Sequence, residues 1–370
     1  MKIALVHDYL CGRGGSERVF QYICEAFPEA DAYVLAYNPK QSSSYFRNRG
    51  LRTTWMNRFV QTMESFRLAF PLATYAMQGI DLSGYDLVVT SSATVAKYVR
   101  VPNGHHICYC YIPTRAIWQT DEYFGRSITA AVFRVLLPYL KQRDFSAAQA
   151  VDHFVAISQD SREHIRQSYR RDAQIIYSPI DLDRFHVSYN RGDHYLIVSR
   201  LEYWKRLDYA IEAFNRMALP LRIVGDGKER KALEAMAGKT ISFLGSVDDE
   251  TLQREYGNAK GVVFTPFLEY GLIPLEACAC GTPVICLGKG GIIETMVPWT
   301  ESGQKNPAPT AVFFQEQNAE ALCDAIRKFE RLTFDPDALA AHAKRFGVPE
   351  FKRQLTELVE SYSARMKRGV

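Results

Sequence analysis

Short, almost wholly apolar runs punctuate this chain. In the first half they fall at residues 2–7, 32–37, 85–90, 107–112, 152–157 and 175–176, and in the second at 195–199, 221–224, 241–244, 261–264 and 283–287. Runs that are apolar on consecutive positions, and not on alternate ones, predict strands covered on both faces, the habit of parallel sheets. Between them lie stretches of helical periodicity. In 16–27, Val19, Phe20, Ile23 and Phe27 form one stripe behind Ser16 as the expected cap. Ser91 and Ser92 are cap candidates behind the third run. Strand, loop and helix in alternation predict an α/β chain of doubly wound sheets, whose ligands sit at the carboxyl ends of the strands.

At 370 residues the chain can build two full cores. The Pro/Asp stretch 178–181 and the polar run 188–194 read as the join. The expected division is 1–188, 189–347 and a closing segment 348–370. Within the last, an amphipathic helix over 349–366 turns Phe351, Leu355, Leu358 and Val359 inward.

Composition narrows the class. Hydrophobic residues make up 47%, which is globular, and a net charge of +4 is too small to suggest a nucleic-acid partner. Eight cysteines show no metal-ligand spacing. Cys108 and Cys110 share one face of a strand and Cys278 and Cys280 fall in a helix, so reduced, buried thiols are expected. Asp8 breaks the first apolar run too early for a signal peptide. No uncharged apolar window reaches the length of a membrane span, and a cytoplasmic placement is expected.

Candidate chemistry gathers in the turns after strands. Gly14 and Gly15 follow the first run and allow a ligand to approach the backbone, although this is not the GxGxxG fingerprint. Arg200 and Lys205 lie between the run 195–199 and the next helix, where two fixed cations suit a diphosphate. Amides at Gly271, Leu272 and Ile273 precede a helix expected over 275–280, with Pro274 in its first turn and Gly281 as its stop. Glu276, read as part of that first turn, suits a vicinal diol or merely complements the helix dipole. No metal and no cofactor are assigned.

Together these motifs resemble the retaining, nucleotide-sugar-dependent glycosyltransferases of the group 1, family-four type. Their GT-B architecture implies two Rossmann-like domains facing a central cleft, and the likeness runs over essentially the whole chain. It is similar to the group that includes sucrose synthases and bacterial mannosyltransferases of lipopolysaccharide and exopolysaccharide assembly. The resemblance implies that Gly14 and Gly15 meet the donor phosphate and that Arg200 and Lys205 hold the diphosphate. It places the base beside Val247 and Asp248, and the Glu-x7-Glu block at 268–276, with Gly271, Leu272, Ile273 and Glu276 on the donor. The first glutamate of that block aligns with Leu268, and Glu269 follows one place later. CYCYIPTRAIW puts Tyr111 where the family has a histidine, with Arg115 and Trp118 on the acceptor side. The same resemblance implies that the last helix crosses back onto the first domain.

A hexosyltransferase is therefore expected, with guanosine diphosphate mannose as the favoured donor. Charge growing on the leaving diphosphate is met by Arg200, Lys205 and backbone amides. Two basic, aromatic segments, 46–70 and 126–143, suit either an anionic lipid surface or helices packed on the sheet with a solvated face. They suggest a lipid-linked or growing glycan as acceptor and contact with the inner face of the cell membrane. The rival readings are a non-catalytic nucleotide- or glycan-binding partner of another transferase and a sugar-nucleotide epimerase.

Overall fold

The structure, a computed structural model, describes residues 1–12, 14–120, 128–301 and 307–367. The chain divides into two compact units, Met1–Tyr177 with Phe351–Val370, and Ser178–Glu350. The division thus falls ahead of residue 188. Ile180 already pairs with Gly347, and the Arg191 guanidinium donates to Gly257 and Thr282, which ties the run after Tyr177 to the second unit.

The first unit holds a seven-stranded sheet in the order β3-β2-β1-β4-β5-β6-β7. Its strands are β1 (Ile3–His7), β2 (Asp31–Val34), β3 (Arg52–Thr53), β4 (Leu87–Ser92), β5 (His105–Cys110), β6 (His153–Ala156) and β7 (Ala173–Ile175). All of them pair in parallel. β4 is buried along its whole length, its polar end Thr90, Ser91 and Ser92 included. The second unit holds six strands in the order β10-β9-β8-β11-β12-β13. These are β8 (Tyr195–Val198), β9 (Leu221–Val224), β10 (Ile241–Gly245), β11 (Gly261–Phe264), β12 (Val284–Leu287) and β13 (Ala311–Phe314). In each sheet the first strand is central and the order reverses beside it, between β1 and β4 and between β8 and β11. That reversal leaves a crevice at the carboxyl ends.

Several local expectations are corrected. The segment 46–70 is not one helix. Gly50 takes a left-handed backbone (φ +67°), Arg52–Thr53 adds an edge strand, and short turns fill Ser44–Asn48 and Trp55–Arg58. A helix forms only over Met63–Gln78, where the Thr62 hydroxyl and Ser65 cap each other's amides. Met56, Phe66, Phe70 and Leu140 of the basic, aromatic segments are buried, whereas Trp55, Phe59, Leu136 and Tyr139 are exposed. Arg126 lies outside the described residues, as do the side chains of Met63 and Phe133. Ser91 and Ser92 end β4 and neither is a helix N-cap, although Ser92 Oγ accepts from Lys97 N–H at 3.3 Å. Asp8 does the capping, its carboxylate accepting from the amides of Ala93, Thr94, Val95 and Ala96 at 2.6–2.9 Å. The helix Gly15–Ala26 is preceded by Gly14, and Ser16 lies inside its first turn.

The final helix, Val348–Lys367, buries Phe351, Leu355, Leu358 and Val359 as predicted. From Phe351 onward it belongs to the first unit, with Phe351 edge-on to Tyr109 and Lys352 paired to Glu25. All eight cysteines are buried free thiols.

Candidate functional site

At the carboxyl edge of the second sheet, backbone laces adjacent turns together. Leu201 N–H donates to Asp226 O, Glu229 N–H to Leu201 O and Gly225 N–H to Gly245 O. A Cβ on Gly225 (φ +128°) would lie 1.9 Å from Ser199 O, and one on Gly227 would lie 2.3 Å from Leu201 O, so only glycine admits this approach. The turn carrying Arg200 and Lys205 is thereby fixed. The Lys205 carbonyl accepts from Thr265 Oγ1 at 2.7 Å, while Tyr209 Oη donates to Thr265 O at 2.7 Å. Thr265 directly follows β11, so Lys205 stands at the order reversal of this sheet. Lys205 is half-buried and Arg200 is exposed. The neighbouring Arg206 is engaged elsewhere, forked onto Asp208 at 3.0 Å.

The turn after β11 leads into the helix Leu272–Ala279. It starts earlier than the sequence suggests, because Gly271 is its extended N-cap and Pro274 is its third residue. Leu272 and Ile273 therefore present first-turn amides. Glu276 falls in the second turn, and the first turn holds no acid. Buried there, Glu276 accepts from Tyr256 Oη at 2.9 Å. The Gly290–Gly291 turn after β12 grips the preceding loop. Gly291 N–H donates to Leu268 O at 3.0 Å, and a Cβ on Gly291 would lie 1.8 Å from Glu269 O. Leu268 is half-buried, and the Glu269 side chain is buried. Asp248 is the exposed N-cap of Asp249–Asn258 and accepts from Thr251 N–H at 2.8 Å, which holds its carboxyl below the usual range. Its side chain thus has a capping task that the base-binding expectation did not include. Val247 beside it is half-buried.

The carboxyl edge of the first sheet is built around Tyr111. Its hydroxyl donates to Ser16 O at 3.0 Å and meets Ser91 Oγ at 2.9 Å. His7 Nδ1 lies 3.0 Å from that same Ser91 Oγ. One chain of contacts therefore joins the ends of β1, β4 and β5 to the first turn behind Gly14 and Gly15. Burial raises the phenol well above its ordinary value, so Tyr111 stays neutral. A Cβ on Gly14 would come 2.5 Å from Glu17 Oε2, so this glycine makes room for a carboxylate already at the helix start.

Arg115 opens the short helix Arg115–Trp118 and is half-buried. The Trp118 indole N–H donates to Asp144 Oδ2 at 2.7 Å and its ring meets Tyr169 edge-on. Asp144, fully buried, also receives Lys97 Nζ, Tyr98 Oη, Thr114 Oγ1 and Tyr169 Oη. Trp118 is thus anchored into the interior by its only polar atom. His7, Asp8 and Asp144 were not singled out as site residues from sequence. Asp8 had a signal, since it ends the first apolar run at the carboxyl edge. Asp144 had one in the stripe Leu140–Asp144–Ala148, spaced for one inward helix face.

Two family models match the chain in succession, Glycosyltransferase Family 4 over residues 13–184 and Glycosyl transferases group 1 over residues 181–346. The chain is similar to the alpha-1,3/1,6-mannosyltransferase ALG2 of Candida glabrata, 20% identical over 96% of this chain and 90% of that protein. Among solved structures it is similar in fold to sucrose-phosphate synthase of Thermosynechococcus elongatus, with a TM-score of 0.73 and 18% identity over 98% of this chain and 100% of that one. Anabaena HepE in complex with UDP is similar in fold at a TM-score of 0.69, with 18% identity and coverage of 98% and 100%. The two sheets are those of the GT-B fold.

Proposed function

Because the chain is a retaining GT-B glycosyltransferase of group 1, family 4, acting on a nucleotide sugar, we propose that it moves mannose from a guanosine diphosphate donor to a lipid-linked or growing glycan. The observation that carries the donor assignment is the bond from Thr265 Oγ1 to the Lys205 carbonyl. It holds a cation-bearing turn against the end of β11, whose own loop supplies the helix start at Leu272.

In this reading Arg200 and Lys205 bind the diphosphate as fixed charges, and the amides of Gly271, Leu272 and Ile273 add the positive end of a helix. As the anomeric carbon–oxygen bond breaks, the negative charge growing on the departing phosphate is met by these groups. The acceptor hydroxyl forms the new bond on the same face, and its proton passes to the departing phosphate oxygen. Glu269 orients the donor sugar from its buried position, Glu276 and Asp248 serve the donor's nucleoside side with Val247, and Tyr111 steadies the Gly14–Gly15 turn. On the acceptor side the reading assigns Arg115, on a segment that Trp118 anchors.

Mannose is favoured because proteins similar over 96% and 83% of this chain are named mannosyltransferases. A thermal-shift screen with guanosine and uridine diphosphates and their sugars tests the donor. Stabilisation by guanosine diphosphate mannose, lost in Lys205→Ala, is expected. Stabilisation by uridine compounds alone would move the base, and none from either set would overturn the donor site.

A further inference from the structure

Two helices of the first unit leave an apolar face in solvent. Tyr75 Oη and Tyr139 Oη meet at 2.7 Å, and Arg143 donates to Gln78 Oε1 at 3.1 Å. Advancing from Tyr75 to Gln78 on Met63–Gln78 therefore matches advancing from Tyr139 to Arg143 on Ile128–Gln149, so the helices run side by side in the same direction. One turn back along each helix lie Leu72 on the first and Val135 and Leu136 on the second. None of the five is covered: Val135 is 81% exposed, Leu72 56%, Tyr75 and Tyr139 50% each and Leu136 44%.

The charge around this face is mostly of one sign. The helix Met63–Gln78 and residues 134–143 carry Arg67, Arg134, Lys141 and Arg143 against one acid, the exposed Glu64. Arg143 lies over the Tyr75 ring at 3.9 Å and near the Tyr139 ring at 5.8 Å, a cation at the edge of the apolar strip. A second copy of the chain seated here would set four cations against four, with only Glu64 of these two stretches to offset them. An anionic lipid surface matches both properties, taking apolar side chains between the acyl chains and arginines and tyrosines at the headgroups.

We propose that this face, Leu72, Tyr75, Val135, Leu136 and Tyr139 ringed by Arg67, Arg134, Lys141 and Arg143, docks the protein on anionic membrane. For its purpose the proposal rests on the lipid-linked acceptor reading. Vesicle binding needs neither donor nor acceptor, however, so the two fail separately. A chain that binds vesicles but no sugar nucleotide would lose the donor assignment and keep the face.

The test is co-sedimentation of the full chain with phosphatidylcholine vesicles, with and without phosphatidylglycerol. Binding to the anionic vesicles is expected, falling at least about tenfold in Val135→Asp/Leu136→Ser and in Arg67→Glu/Arg134→Glu. The donor-induced thermal shift should be unchanged in both variants, which shows that they are folded. Equal binding to neutral and anionic vesicles, or wild-type binding by both variants, would overturn the proposal. Self-association in analytical ultracentrifugation that Val135→Asp/Leu136→Ser abolishes would also overturn it, giving the face to a second copy.

Discussion

Lys97 Nζ and Asp144 Oδ1 stand 2.8 Å apart, with side chains 2% and 0% exposed. The pair survives burial because its remaining sites are filled. Lys97 also donates to Thr94 O and Thr114 Oγ1, and Asp144 accepts from Tyr98, Trp118 and Tyr169. Removing one partner leaves an uncompensated buried charge, a loss of about 3–5 kcal/mol. Asp144→Ala should therefore lower the urea midpoint sharply. Lys97→Met/Asp144→Asn should cost less than the sum of its single changes, because they share one network. Additive losses would show that the two residues act separately.

Tyr111 and Ser16 make the second prediction. Tyr111→Phe removes the bond to the Ser16 carbonyl and should reduce stability by about 1 kcal/mol. If the hydroxyl steadies the Gly14–Gly15 turn, the variant raises donor KM and leaves the shape of the pH–rate profile unchanged. A changed alkaline limb would instead make the phenol a participant in proton transfer.

The parallel strands were legible because burial on both faces leaves an unbroken apolar run, and 221–224 and 261–264 match β9 and β11 at both ends. Turn chemistry was legible where glycine was required, as at Gly281 (φ +74°), the expected helix stop. What stayed hidden depends on partners far along the chain. The spacing of Asp144 shows only an inward helix face, and its partners Lys97, Thr114 and Tyr169 lie too far along the chain to be read from it. Arginine-rich 46–70 suited a helix packed on the sheet as one of two readings, yet Arg49 donates to Phe27 O and Ala30 O and Arg52 pairs with Asp31, contacts that hold a folded loop. Glu276 looked like a first-turn residue because Pro274 drew the expected start too late; the extended Gly271 sets it.

His106 supplies a pH prediction. It is buried beside Thr90 Oγ1 at 3.0 Å, and burial lowers its pKa to about 4 from 6.5. The folded value is depressed, so the unfolded chain binds the proton more readily and stability rises with pH across this interval. The contribution is complete above pH 6.5 and is lost as the pH falls toward about 4, by up to about 3 kcal/mol. Urea unfolding at pH 7 and pH 5 should show this slope in wild type and a shallower one in His106→Asn. Identical slopes would remove His106 as its source.

Arg200 and Lys205 make the sharpest test, because their turn is held by backbone: Leu201 to Asp226 and Lys205 to Thr265. Truncating either side chain should leave that scaffold standing, with an unfolding midpoint close to wild type. Turnover should fall by about 10²–10³ in each, the scale of losing one fixed group that meets charge only in the transition state. Lys205→Arg should recover part of the loss in Lys205→Ala, since a guanidinium restores charge with a different reach. If these cations carry the offset, EDTA should leave wild-type turnover unchanged, and added magnesium should not rescue Lys205→Ala. Loss of turnover in EDTA, restored by magnesium, would transfer the leaving-group role from these side chains to a metal ion.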